Sequence, residues 1–251
     1  MLKLNKVSTG PGSGIHRKDA EKATEQYKEE LFHLQNVLFA GQKYSLLIIM
    51  QGMDASGKDG TIRDVFTSMN PMGINIKSFK NPTQEERSHD FLWRVHPHAP
   101  AKGMISVFNR SHYEDILVPT VHRVLDKKVI DDRYEQINDF EQLLQGSNTI
   151  ILKFFLHISP EEQQKRIKER LLIPHKKWKY DKSDSREAKF WTEYTKVYEQ
   201  ILKRCGTHLP WIVVPADSKW YRNYIIAKEV RDTLRALKMR YPSGNMSNEA
   251  V

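Results

Sequence analysis

The sequence predicts an α/β domain built on a mainly parallel sheet of five strands. Two observations carry this: five short apolar runs, at residues 46–50, 74–79, 104–108, 150–156 and 211–214, and helical periodicity between or after them. The first run, Leu46-Leu47-Ile48-Ile49-Met50, lacks the alternation of a strand with one wet face. It therefore suits a parallel strand covered by helices on both sides. At 251 residues the chain has room for one sizeable core, and a second full domain would be a squeeze. Hydrophobic residues at 39% and charged ones at 28% exclude a disordered or fibrous chain.

Taken in order, residues 1–19 hold Thr9, Gly10, Pro11, Gly12, Ser13 and Gly14, a turn-favouring composition that predicts a flexible or draped N-terminal arm. Tyr27, Leu31, Leu34, Val37 and Leu38 recur at helical spacing over residues 20–39, with Gly41 as the stop. After the first strand, helical patterns fall at 60–69, 84–95, 116–125, 134–144, 160–171, 186–204 and 220–238. The four later apolar runs are read as further buried strands. Residues 173–185 interrupt the plan with Pro174 and the basic run His175-Lys176-Lys177-Trp178-Lys179, either a lid or helical hairpin or a solvated connection. One domain thus spans 20–240, with a polar, flexible tail at 241–251.

Forty Lys and Arg against thirty-one Asp and Glu leave a formal charge of +9, which attracts an anionic partner without naming it. The single Cys205 rules out a disulfide scaffold and a thiolate zinc cluster, and it fits a reducing compartment. No apolar run is long enough to cross a bilayer, so the cytoplasm is the expected location.

Just after the first strand stands Gly52-Met53-Asp54-Ala55-Ser56-Gly57-Lys58-Asp59, leading into Gly60-Thr61-Ile62-Arg63. The spacing is that of a phosphate-binding loop, with Asp59 where Ser or Thr usually meets magnesium. Such a turn aims backbone N–H groups inward, the helix start favours an anion, and Lys58 brings a positive charge to phosphoryl oxygens. Gly52, Ala55, Ser56, Gly57, Asp59, Gly60 and Thr61 are the phosphate-binding candidates here. Asp54 and Asp59 could cap a helix, but beside a polyphosphate a divalent cation would compensate them, so both are candidate magnesium ligands.

A second cluster follows the third strand, Phe108-Asn109-Arg110-Ser111-His112-Tyr113-Glu114-Asp115. The first polar residue is Asn109 rather than a metal-binding Asp, yet Asn109 can orient a metal-bound water or a phosphate. Arg110 has the planar donors that phosphate oxygens need, against the alternative of a structural ion pair. Glu114 or Asp115 either faces the cleft or caps the next helix. Trp93, Trp191 and Trp220 are read as core or interface anchors.

With these segments in order, the chain resembles the polyphosphate kinase 2 family over about residues 27–237. The resemblance is carried by GMDASGKDGTI at 52–62, SFKNPT at 78–83, DFLWRVHPHAP at 90–100, VFNRSHYEDILVP at 107–119, RYEQINDFEQLL at 133–144, SPEEQQKRIKERL at 159–171, HKKWKY at 175–180 and WIVVPADSKWYRNYIIAKEV at 211–230. It implies a three-layer P-loop kinase-like fold with a mobile helical lid, placed here at about 165–190. It also implies polyphosphate in a basic channel with the nucleotide approaching from the other side. On those motifs Asp54 would handle magnesium, Lys58 the transferred phosphoryl group and Arg110 the acceptor phosphate. Asn109 departs from the Asp of other branches.

The resemblance gives the surplus charge a place. Lys165, Arg166, Lys168, Arg170, Lys176, Lys177, Lys179 and Lys182 crowd one segment. Arg166 and Arg170, four apart, can share a helix face and meet phosphate, with Arg170 the catalytic candidate. Lys80 is expected at phosphate near the carboxyl edge of the sheet. Arg94, on the nucleotide side, and Arg133, on phosphate, are weighed against ties between helices. The expected reaction moves the terminal phosphoryl group of inorganic polyphosphate to ADP, and also AMP, with Mg2+ and reversibly. The alternatives are an ATP-dependent nucleotide kinase and a non-catalytic polyphosphate-binding protein. The expected partners are polyphosphate and adenine nucleotides, with no nucleic acid or membrane, in a homodimer or homotetramer.

Overall fold

The computed structural model describes residues 2–174, 177 and 186–243. The sheet holds β1 (Ser45–Gln51), β2 (Ile74–Ser78), β3 (Ile105–Asn109), β4 (Thr149–His157) and β5 (Trp211–Pro215), all paired in parallel in the order β2-β3-β1-β4-β5. β1 is central and buried along its whole length, as its unbroken apolar run requires. Leu46 sits opposite both Ile105 and Ile150, so the three central strands start within one residue of one another. From β1 the chain leaves toward β3 and β2 and returns on the other side to β4. The crevice at the carboxyl end of β1 is therefore the point where strand order reverses, the usual ligand position in an open α/β sheet.

The helices α1 (Arg17–Gly41) and α2 (Lys58–Phe66) pack with the last helix, α8 (Lys219–Ala236), on one face. On the other face α4 (Glu114–Val121) packs with α5 (Lys127–Gly146) and α7 (Trp191–Arg204). The short α3 (Gln84–Ser88) follows β2, and α6 (Pro160–Leu172) follows β4. The result is the three-layer arrangement expected.

Three elements differ from the sequence reading. β2 and β5 are edge strands rather than buried ones: β2, with Ile76 55% exposed, pairs only with β3, and β5, half-buried except at Val214, pairs only with β4. The helix expected over 84–95 is confined to α3. Thr83 and Glu86 form a reciprocal cap at its start, and Asp90 Oδ1 then accepts from the amides of Leu92 and Trp93, drawing the backbone into a turn.

In the N-terminal segment, Leu4 is buried, its amide donates to Glu199 Oε1 at 2.9 Å, and its carbonyl lies 3.0 Å from His157 Nε2. Residues 3–7 are thus draped across β4 and α7, and the flexible reading does not hold for them. Of the expected lid, residues 175, 176 and 178–185 lie outside the described residues, as do 244–251 of the tail.

Candidate active site

The loop after β1 turns on two glycines. Gly57 has φ +102°, and a Cβ there would stand 2.1 Å from Arg222 Nη1; Gly52 has φ +149°, and a Cβ would stand 2.6 Å from the Leu156 carbonyl. Neither position tolerates a side chain. Ala55 and Arg110 hold left-handed backbone without being glycine, each at φ 61°. Such strain persists where the surroundings enforce it, and it is a common mark of ligand sites.

Lys58 opens α2, with its side chain folded back onto the loop. Its Nζ donates to the carbonyls of Gly52 at 2.7 Å and Met53 at 3.2 Å. Burial, and then the Arg110 charge, pulls the ammonium below the ordinary lysine value, against the pull of Asp54, Glu114 and Asp59. Two carbonyls take two of its three hydrogens and cancel little of its charge, so Lys58 is a buried cation with room for an anion. The Ser56 and Thr61 hydroxyls are also buried in this loop and find no hydrogen-bond partner among the described residues.

Arg110 leaves the end of β3 and pairs with Asp54, Nη2 to Oδ1 at 2.8 Å. The Glu114 charge, aided by Asp54, outweighs burial and keeps the guanidinium firmly protonated. Burial raises the Glu114 carboxyl above its usual range in spite of Arg110 and Lys58. Glu114 therefore belongs to the cleft. Asn109 donates from Nδ2 to Asp59 Oδ1 at 2.5 Å, which joins the two sequence clusters directly. Asp54, Lys58, Asp59, Asn109, Arg110 and Glu114 form one electrostatic unit around the mouth of the loop.

Several candidates have other work. Arg94 is buried, giving Nη2 to Asp115 Oδ2 at 2.7 Å and Nη1 to the Lys80 carbonyl at 2.8 Å, so it ties the segment after β2 to α4 rather than facing a nucleotide. Arg133 donates to the Asp115 carbonyl at 2.5 Å and lies over the Phe91 ring, again a tie between elements. Arg166 was expected on phosphate, but its guanidinium faces protein. Nη1 donates to the carbonyls of Ala55 at 3.1 Å and Ser56 at 2.9 Å, Nη2 to those of Ala216 and Asp217, and Nε to Glu162. Lys80 is exposed beyond β2, and Arg170 is half-buried one turn past Arg166 on α6.

Three residues escape sequence reasoning. Gln163 Nε2 donates to the Asp54 carbonyl at 3.0 Å, and Arg222 Nη1 to the Ser56 carbonyl at 3.3 Å. Together with Arg166 they hold the carbonyl side of the loop from behind. Gln51, at the end of β1, donates to Ser111 Oγ at 3.1 Å and accepts from the Tyr198 hydroxyl at 3.3 Å, bracing the loop against the start of the second cluster. Behind that cluster Tyr113 donates to Glu141 Oε1 at 2.7 Å, and Lys153 Nζ meets Glu141 Oε2 at 2.6 Å, all buried.

The arrangement can bind a polyanion and neutralise it. Among the described residues no group of three or more His, Cys, Asp or Glu is placed to hold a metal. Asp54 and Asp59 nevertheless suit magnesium, which usually takes one or two carboxylates together with phosphate oxygens and water rather than an all-protein cage. No described helix is long and apolar enough to cross a membrane.

The family model described as polyphosphate kinase 2 matches residues 14–242. An AMP/ADP-polyphosphate phosphotransferase of Meiothermus ruber is 43% identical over 219 residues, covering 87% of this chain and 82% of that protein. An ADP-polyphosphate phosphotransferase of Rhodopseudomonas palustris is 40% identical, covering 85% and 78%. The crystal structure of polyphosphate kinase 2 from Arthrobacter aurescens TC1 superposes with a TM-score of 0.94 at 38% identity, covering 97% of this chain and 89% of that one.

Proposed function

The chain belongs to the polyphosphate kinase 2 family, and from that premise we propose that it transfers the terminal phosphoryl group of inorganic polyphosphate to ADP and AMP. The observation that carries this reading is the buried Lys58 of the phosphate loop, held on the loop carbonyls within the electrostatic reach of the Arg110–Asp54 pair. In-line transfer asks little covalent chemistry of the protein, only alignment and neutralisation of developing charge. Lys58 exchanges its loop carbonyls for oxygens of the transferred group, and Arg110 turns its remaining donors to the acceptor phosphate. Arg170 is assigned to the same charge on the donor side. Ser56 and Thr61 have hydroxyls to offer, and amides of the loop meet the donor. Asp54 and Asp59 would hold Mg2+, which when bound supplies further neutralisation of the phosphoryl oxygens.

The reaction is reversible in this reading, the protein works in the cytoplasm, and the assembly is a homodimer or homotetramer, which mass in solution decides. The deciding assay supplies AMP, ADP, GMP and GDP separately with polyphosphate as sole donor, then repeats the productive pair with ATP as a competing donor. Formation of ADP and ATP from the adenine nucleotides supports the reading. Transfer from ATP alone would make the chain an ATP-dependent nucleotide kinase, and salt-sensitive polyphosphate binding without turnover would leave a binding protein.

A further inference from the structure

Arg222, on α8, is 1% exposed and among the largest fully buried side chains. Its Nη1 reaches the Ser56 carbonyl at 3.3 Å, while Nε and Nη2 share Asn223 Oδ1 at 3.2 and 3.0 Å. The nearest negative charge in this chain of contacts is one step removed, since Asn223 in turn donates to Asp64 Oδ2 at 3.3 Å. Arg94, by contrast, is buried against the Asp115 carboxylate itself. Burial and the neighbouring Arg166 push Arg222 down to about 10, still protonated at neutral pH. Two guanidiniums thus stand behind the loop and one ammonium within it, and a buried charge so weakly paired costs the fold stability. Arg166 donates to the same Ser56 carbonyl at 2.9 Å, so loss of Arg222 leaves that buried carbonyl satisfied.

We infer that Arg222 is a positioning residue of the phosphate loop, kept for the donor polyphosphate and not for the fold. Its charge draws the Ser56 carbonyl rearward, so that the loop's amide dipoles point forward, and adds positive potential where a phosphate lies. The Cβ-free Gly57 is what lets the guanidinium come this close. This inference rests on the phosphate-loop reading and names the residue that acts on that site from behind.

The test uses the full chain with Arg222→Met, which keeps the bulk and removes the charge, and Arg222→Lys, which keeps the charge. Thermal midpoints are taken without phosphate. Affinity for inorganic tripolyphosphate with magnesium is measured by calorimetry, and kcat and KM with polyphosphate. The Met variant should melt at or above the wild-type midpoint, bind tripolyphosphate about tenfold more weakly, and lose kcat; the Lys variant should recover part of the affinity. A Met variant that melts below wild type overturns the inference whatever its affinity, since an arginine that merely stabilises the fold explains both losses. Unchanged affinity and kcat overturn it as well. A wild-type chain that binds tripolyphosphate but transfers nothing would defeat the proposed reaction and leave this comparison readable.

Discussion

Lys58 and Lys153 are both buried, 8% and 1% exposed, yet their surroundings are opposite. Lys153, on β4, meets Glu141 Oε2 at 2.6 Å, the Cys205 carbonyl at 2.5 Å and the Tyr113 hydroxyl at 3.2 Å. Glu141 is enclosed too; burial would raise its carboxyl, but His112 and Lys153 outweigh that and hold it low. This region is electrically complete, and a ligand could only disturb it. Lys58 has loop carbonyls for partners and no carboxylate in ion-pair contact among the described residues, and burial outweighs the more distant pull of Asp54, Glu114 and Asp59. In the proposed function the difference separates a buried charge that specifies structure from one that receives substrate.

The largest effect expected from breaking this contrast is on turnover. Lys58→Ala should lower kcat by about 10³-fold, as removal of a main stabiliser of developing charge does. Its melting point should not fall. A lysine held below its ordinary value costs stability while charged, so removing it relieves the fold at neutral pH. Transfer rates and thermal melts on the same preparation check both halves. Lys153→Met should do the reverse, costing about 3–5 kcal/mol in urea unfolding because the buried Glu141 loses its lysine cation and keeps only His112 and Tyr113. Its kcat at a temperature where it stays folded should change far less than that of the Lys58 variant.

A smaller effect concerns the metal. Asp54→Asn should raise the magnesium concentration for half-maximal rate about tenfold, measured by titrating Mg2+ at fixed polyphosphate. The smallest concerns pH. Burial raises the Glu114 carboxyl above 4.5, so the folded state holds a proton that the unfolded chain releases, and stability falls as pH rises above that value. Glu114→Gln should match wild type in the acid range and become the more stable of the two as pH climbs to neutrality. Parallel stability curves with no pH-dependent gap would show that Glu114 is not desolvated.

How much of this was legible in the sequence follows the same division. Lys58, Asp54 and Arg110 could be found because a glycine spacing sits on the end of an apolar strand, and local chemistry signals both. The five strands were legible because each is a short apolar run. The edge position of β2 was not, since strand order is a property of the whole sheet. Residues behind the loop were hidden for a related reason. Gln163, Arg166 and Arg222 serve carbonyls of residues 54–56 from helices more than a hundred positions away, and backbone carbonyls leave no mark in a sequence. The charge of Arg166 points to phosphate in the sequence, because nothing local shows which way a basic helix face turns. The early end of α3 was at least open to reading, since Asp90 has the short acceptor that makes such turns.

In the proposed reaction the buried charge of Lys58 receives the terminal phosphate of a polyphosphate chain. It is tested most directly by following phosphorus resonances of polyphosphate and ADP with the wild-type chain and magnesium, no other donor being present. The expected result is growth of the ATP γ-phosphate signal at the expense of polyphosphate, abolished by chelation and reduced about 10³-fold in rate by Lys58→Ala. Wild-type protein that leaves the spectrum unchanged, or a Lys58→Ala variant that transfers as fast as wild type, would contradict it.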